Sequence, residues 1–141
     1  MKPVTHTFTA PVAATSERVF NLLSNPARMA EWLPGCHAVD TDAPVRKGTR
    51  LRVRFSRGET EFEITDYTPP TAFGWVERGR RLGAKTLFKL DFSGGTTAIT
   101  MKDVWIPRGL RSWILGHIHH RRNATRMFDG IIQNLRNLLT R

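Results

Sequence analysis

From Pro107 to Arg141, apolar side chains recur at Leu110, Ile114, Ile118, Phe128, Ile132, Leu135 and Leu139. Steps of mostly three or four residues put side chains on one face of an α-helix. The run therefore predicts one long C-terminal helix with a buried stripe. Gly116 falls inside it, and a glycine in a helix interior costs about 1 kcal/mol. A kink at Gly116, or a helix that starts only after it, is the expected consequence.

Upstream the period shortens to two. Arg50–Phe55 and Glu61–Thr65 alternate, with Ser56–Glu59 between them as a hairpin turn. Alternation points Leu51, Val53, Phe55, Phe62 and Ile64 into a core and Arg50, Arg52, Arg54, Glu61 and Glu63 away from it. The acidic residues then form an outer charge ladder with the arginines, each pair contributing roughly a few tenths of a kcal/mol. Thr71 to Arg78 is a further strand, with Phe73, Trp75 and Glu77 on one face. Lys85 to Phe92 is the next, with Phe88, Leu90 and Phe92 inward. Thr97 to Trp105 is the last, with Ile99, Met101, Asp103 and Trp105 together. Gly79–Gly83 and Ser93–Gly95 are the connecting turns.

On the N-terminal side, Thr7–Ala13 reads as a strand, with Pro11 marking an edge or an end. Ser16 is the expected N-cap of a helix carrying Val19, Phe20, Leu22 and Leu23. Ser24-Asn25-Pro26 stops it, and a second short helix runs from Ala27 to Trp32. Cys36 to Thr41 is another strand. The predicted order is a strand, two short helices, about six strands and a long helix. Short turns between successive strands require an antiparallel meander. A curved sheet around the helix would bury its stripe and leave room for a cavity.

The 141 residues carry no repeat, linker or low-complexity segment, so one domain over 1–141 is expected. Cys36 stands alone, which rules out an intramolecular disulfide and suits a reducing compartment. The N-terminus lacks a signal-peptide pattern, and no apolar run approaches the ~18 residues of a membrane span. A cytoplasmic protein is the expectation. The net charge of +10 attracts anions of every kind, but the arginines are spread along the chain and choose no partner.

Several segments carry a family resemblance. Ala13–Pro26 is similar to the entry strand and first helix of the START-like, or helix-grip (SRPBCC, polyketide cyclase/dehydrase-type), superfamily. Met29–Gly35, ending in Trp32 and Pro34-Gly35, is similar to its second helix. Lys47–Arg50 resembles its strand-entry turn, Gly94–Thr97 the hairpin before its last strand, and Leu135, Leu138 and Leu139 the end of its terminal helix. The resemblance covers nearly the whole chain. It implies an α+β fold, with a seven-stranded antiparallel sheet gripping the C-terminal helix over a pocket. Members bind lipids, sterols, polyketides and other apolar molecules, and a minority are enzymes; the fold alone does not fix the function.

Two inward carboxylates, Asp103 and Glu77, are the candidate catalytic groups. Burial is costly to a carboxylate and raises its pKa, which suits a polar anchor or a general base. A register slip of one residue would turn both outward. On the long helix, His117 and Arg121 fall near the apolar stripe and are candidates to hold a ligand's acid group. His117 and His120 have a metal-compatible spacing, yet no Cys or acidic residue lies nearby to complete a shell, so no metal is expected. Cys36 and His37 point opposite ways on a strand and make an unlikely nucleophile pair. Phe55, Phe62, Phe73, Trp75, Phe88, Met101 and Trp105 complete the predicted pocket lining, although aromatics at alternating positions serve packing more often than binding. No phosphate loop, dinucleotide fingerprint or hydrolase elbow is present, and no cofactor is expected.

Three readings compete. The first is a binding protein for a small apolar or amphiphilic molecule, monomeric or homodimeric. The second is a cyclase-like enzyme using Asp103, Glu77, His117 and Arg121. The third is a basic module for nucleic acid, ribosome or acidic membrane. Against the last, the arginines of the ladder have neighbouring glutamates, and no nucleic-acid motif is present.

Overall fold

The computed structural model describes residues 3–78, 83–107 and 109–140, without the side chains of 112 and 115–118. Strand β1 (Val4–Val12) leads to α1 (Ser16–Leu23), a 3-10 turn (Pro26–Arg28) and the one-turn helix α2 (Met29–Trp32). Strands β2 (Cys36–Asp40), β3 (Arg50–Phe55), β4 (Gly58–Thr68), β5 (Ala72–Glu77), β6 (Lys85–Ser93) and β7 (Thr96–Trp105) follow. Helix α3 (Leu110–Leu139) closes the chain. The strands form one antiparallel sheet in the order β1-β7-β6-β5-β4-β3-β2. This is the α+β helix-grip arrangement.

Local chemistry accounts for most of the boundaries, with some corrections to the sequence reading. Thr15, not Ser16, caps α1: its Oγ1 accepts from the Arg18 amide at 3.3 Å. Ser16 instead turns inward, 3.4 Å from the Thr97 hydroxyl. The expected second helix divides in two, because Asn25 Oδ1 accepts from the Ala27 amide and sets up a tight turn ahead of Met29. Strand β4 is longer than its alternation indicated, since a register shift between Ile64 and Asp66 interrupts the period. Helix α3 is continuous through Gly116, so it does not start only after the glycine. Phe92, expected inward, is 47 % exposed, two residues from the Gly94-Gly95 turn where the strand pair runs out. The Gly79–Leu82 part of the predicted loop lies outside the described residues.

The inner face of the sheet carries the buried Leu51, Val53, Ile64, Phe73, Phe88 and Ile99, and α3 lays Phe128, Ile131, Ile132 and Leu135 over it. At roughly 25 cal/mol per Å2 of apolar surface, such burial is the main stabilising term. Outside, the charge ladder forms with partners added from the β2 edge. Arg50 reaches Glu61 at 3.6 Å and Glu63 at 3.5 Å, Arg52 reaches Asp42, and Arg54 reaches Asp40. The arginines of these pairs are exposed, and each pair contributes about 0–1 kcal/mol. Gly130 lets α3 approach the loop after α2, because a Cβ there would lie 2.9 Å from Pro34 Cγ.

Candidate functional site

A cavity of about 490 Å3 lies between the sheet and α3. Its walls divide by chemistry. Phe62, Trp75 and Met101 from the sheet and Ala124, Met127 and Ile131 from α3 form an apolar body. Thr60, Glu77, Thr86, Asp103 and His120 form a polar end. Exposed Ser56, Arg57 and Asn123 stand at the rim, with Pro34 and Gly35 beside them.

The polar end centres on a pair of side chains. Asp103 is 5 % exposed, placed inward by the same alternation that buries Ile99 and Met101. His120 Nε2 is in hydrogen-bond contact with its Oδ2. The His120 ring is held from both sides. Trp105 stacks on it at 5.0 Å between centroids and His6 at 5.7 Å. His6 reaches this place because β1 pairs with β7 in the register His6↔Asp103 and Val4↔Trp105. Thr86 is the partner of Asp103 on the other side. Glu77 is half-buried at the end of β5, where the Thr60 hydroxyl donates to Oε1 at 3.4 Å. A carboxyl group and an imidazole held in contact in this way form a fixed hydrogen-bonding pair at the polar end of the cavity.

The structure brings Phe55, Phe62, Trp75, Glu77, Met101 and Asp103 to the cavity. It places the other candidates elsewhere. Phe73 and Phe88, expected to line the pocket, are 1 % and 0 % exposed and pack against Phe20 and Trp32. Those two helices carry large aromatics into the space the strands leave, so that end is solid. Trp105 supports the back of His120 and does not border the cavity. Arg121 is exposed to solvent and is not part of the cavity wall. The His117 side chain lies outside the described residues. Among the described residues, no three His, Cys, Asp or Glu side chains are grouped to hold a metal. Cys36 and His37 do not form a pair: burial pushes the Cys36 thiol up, and His37 lies 3.0 Å from Ser56 Oγ instead.

Sequence reasoning singled out His120 only as a metal candidate and missed its place in the pocket. The periodicity alone points the apolar stripe of α3 at the cavity, and His117 and Arg121 lie near that line. The cavity in fact borders the flank of the stripe. His120, Ala124, Met127 and Ile131 follow one another at steps of four, three and four. A histidine one turn before a line of small and flexible apolar residues was the signal available.

The chain resembles solved structures over nearly its whole length. The Aha1 dimer from Colwellia psychrerythraea has a TM-score of 0.69 at 16% identity, covering 96% of this chain and 97% of that one. Protein NE0264 from Nitrosomonas europaea has a TM-score of 0.76 at 14% identity, covering 96% and 94%. DynU16, a protein of the dynemicin biosynthetic locus, has a TM-score of 0.70 at 19% identity, covering 93% of this chain and 46% of that one. At these identities the likeness concerns the fold. No curated protein matches the chain. The family described as polyketide cyclase / dehydrase and lipid transport matches residues 3–140, and the chain belongs to that family.

Proposed function

We propose that residues 1–141 act as one domain that holds a small amphiphilic molecule in the cavity between sheet and α3. Its apolar body lies against Phe62, Trp75, Met101 and Met127, and its polar group meets Asp103 and His120. The observation that carries this reading is the cavity itself. Its volume of about 490 Å3 lies within the roughly 300–1,000 Å3 range of small-molecule pockets, and its lining is apolar with a few convergent polar groups. Membership of a family of cyclases, dehydrases and lipid transporters supports ligand binding in general terms. The polar end also narrows the ligand. Glu77, Asp103 and His120 offer hydrogen-bonding atoms there that a hydroxyl or a ketone of the ligand can meet.

Native mass spectrometry with denaturing extraction tests the reading. A co-purifying neutral amphiphile is expected, and Met127→Trp should abolish it by filling the cavity while the fold is retained. An empty wild-type protein that takes up no amphiphile from a supplied mixture would overturn it.

The Asp103–His120 pair favours a second reading, acid–base catalysis on a bound polyketide-like carbonyl compound. With its Nε2 proton held on Asp103, His120 would take a proton from an acidic carbon at Nδ1. Asp103→Asn should then lower turnover by roughly 10²–10⁴-fold and leave ligand binding in place. Unchanged turnover in that variant excludes this role.

A further inference from the structure

We propose that the corner formed by the end of β7 and the start of α3 docks on the surface of an anionic phospholipid bilayer. Past His120 the apolar stripe of α3 is carried by the sheet. Ahead of His120 it continues into solvent. Leu110 is 65 % exposed, Ile114 52 % and Trp113 39 %, and Ile106 on the preceding link is 48 % exposed. Leu110, Trp113 and Ile114 stand at i, i+3 and i+4, in line with the buried Phe128, Ile131 and Ile132 farther along. The helix start reaches about 15 Å beyond His120 at 1.5 Å per residue.

Along the helix ahead of Asp129 and the link before it, the charge has one sign. Between Asp103 and Asp129 the sequence holds Arg108, Arg111, Arg121, Arg122 and Arg126 and no acidic residue. Arg111, Arg121, Arg122 and Arg126 are exposed. A second copy of a chain with net charge +10 would bring like charges to the same corner. A bilayer with anionic headgroups meets both features: its acyl boundary receives Leu110, Trp113 and Ile114, and its phosphates receive the guanidinium groups. Antiparallel pairing sets Trp105, the end of β5, the start of β6 and the Ser56-Arg57 turn at one end of the sheet. Ser56 and Arg57 belong to the cavity rim, so docking at this corner turns the rim toward the lipid. This inference concerns the partner and stands independently of what the cavity holds.

Co-sedimentation of the full chain with two vesicle types tests it: phosphatidylcholine alone, and phosphatidylcholine mixed with phosphatidylglycerol. Binding to the mixed vesicles should be at least about tenfold tighter and should weaken with salt. Arg111→Gln/Arg122→Gln should lose about twenty-five-fold, at roughly fivefold per arginine near the surface. Leu110→Glu/Ile114→Glu should lose about tenfold or more on the same vesicles with an unchanged circular dichroism spectrum. The milder Leu110→Ser/Ile114→Ser serves if the glutamates disturb the helix. Equal binding to both vesicle types, no binding, or full binding by a folded Leu110/Ile114 variant overturns the proposal. So does a dimer in light scattering that Leu110→Ser/Ile114→Ser dissolves. Native mass spectrometry of the same samples reports cavity occupancy separately.

Discussion

The two ends of the layer between sheet and helices are finished in different ways. At one end α1 and α2 press Phe20 and Trp32 onto Phe73 and Phe88, edge to face, with centroids 6.1 and 6.0 Å apart. Trp32 also donates its indole N–H to the Leu22 carbonyl at 2.9 Å, so no polar atom of the ring is left over. At the other end α3 faces the sheet across a hollow. Phe62 and Trp75, stacked at 4.7 Å, mark the border. The same inward alternation of the strands serves both ends. What differs is whether a short helix delivers large side chains into the gap. The hollow end, with Glu77, Asp103 and His120 in its wall, gives up the stability that the same volume filled with aromatics would supply.

Substitutions at the two ends should therefore read differently. The largest effect is expected at the solid end. Trp32→Ala removes a fully buried ring and should cost about 3–5 kcal/mol in chemical denaturation. Met127→Ala, on the cavity wall, should cost about 1 kcal/mol or less, because its side chain already borders empty space. Equal costs would show that the two ends are packed alike. His120→Ala is intermediate: it leaves the Asp103 carboxylate without its ring partner, at about 2–3 kcal/mol, and Asp103→Asn in the same background should recover most of it. Gly130→Ala sharpens the contrast from the rim. The added methyl meets Pro34, while the helix gains about 1 kcal/mol of propensity, so ligand affinity should shift more than the melting temperature. The smallest effect lies outside both ends. Burial pushes the Asp66 carboxyl up, but the Thr65 hydroxyl at 2.9 Å, Lys85 at 3.1 Å and the charge of Lys47 together hold it below the usual carboxylate range. Its contribution is present above the unfolded value near pH ~4 and is lost as pH falls through the lower folded value. Asp66→Asn should flatten acid unfolding in that window, by well under about 1 kcal/mol for so exposed a pair.

The strands were legible because alternation is a local property: Leu51, Val53, Phe62 and Ile64 are buried where period two put them. The meander order followed from short turns. The inward direction of Asp103 was legible for the same reason. The division into a solid and a hollow end was not. Phe73, Trp75 and Phe88 are equivalent by strand pattern, and only the position of α1 and α2 over the sheet separates the ring that lines the cavity from the two that do not. His120 was obscured in a similar way, since its role depends on a strand more than a hundred residues earlier, which brings His6 beside it.

That distant strand has a temporal consequence. β1 is the first strand synthesised, and its neighbour in the sheet, β7, is the last; Thr9 and Thr100, whose hydroxyls meet at 3.2 Å, are 91 residues apart. At about 5–20 residues per second, a nascent β1 waits on the order of five to twenty seconds for its partner. Through that interval its N–H and C=O groups are open to any passing edge. Pro11 removes one donor from the waiting strand, and nearly the whole chain must leave the ribosome before His6 can come to rest against His120.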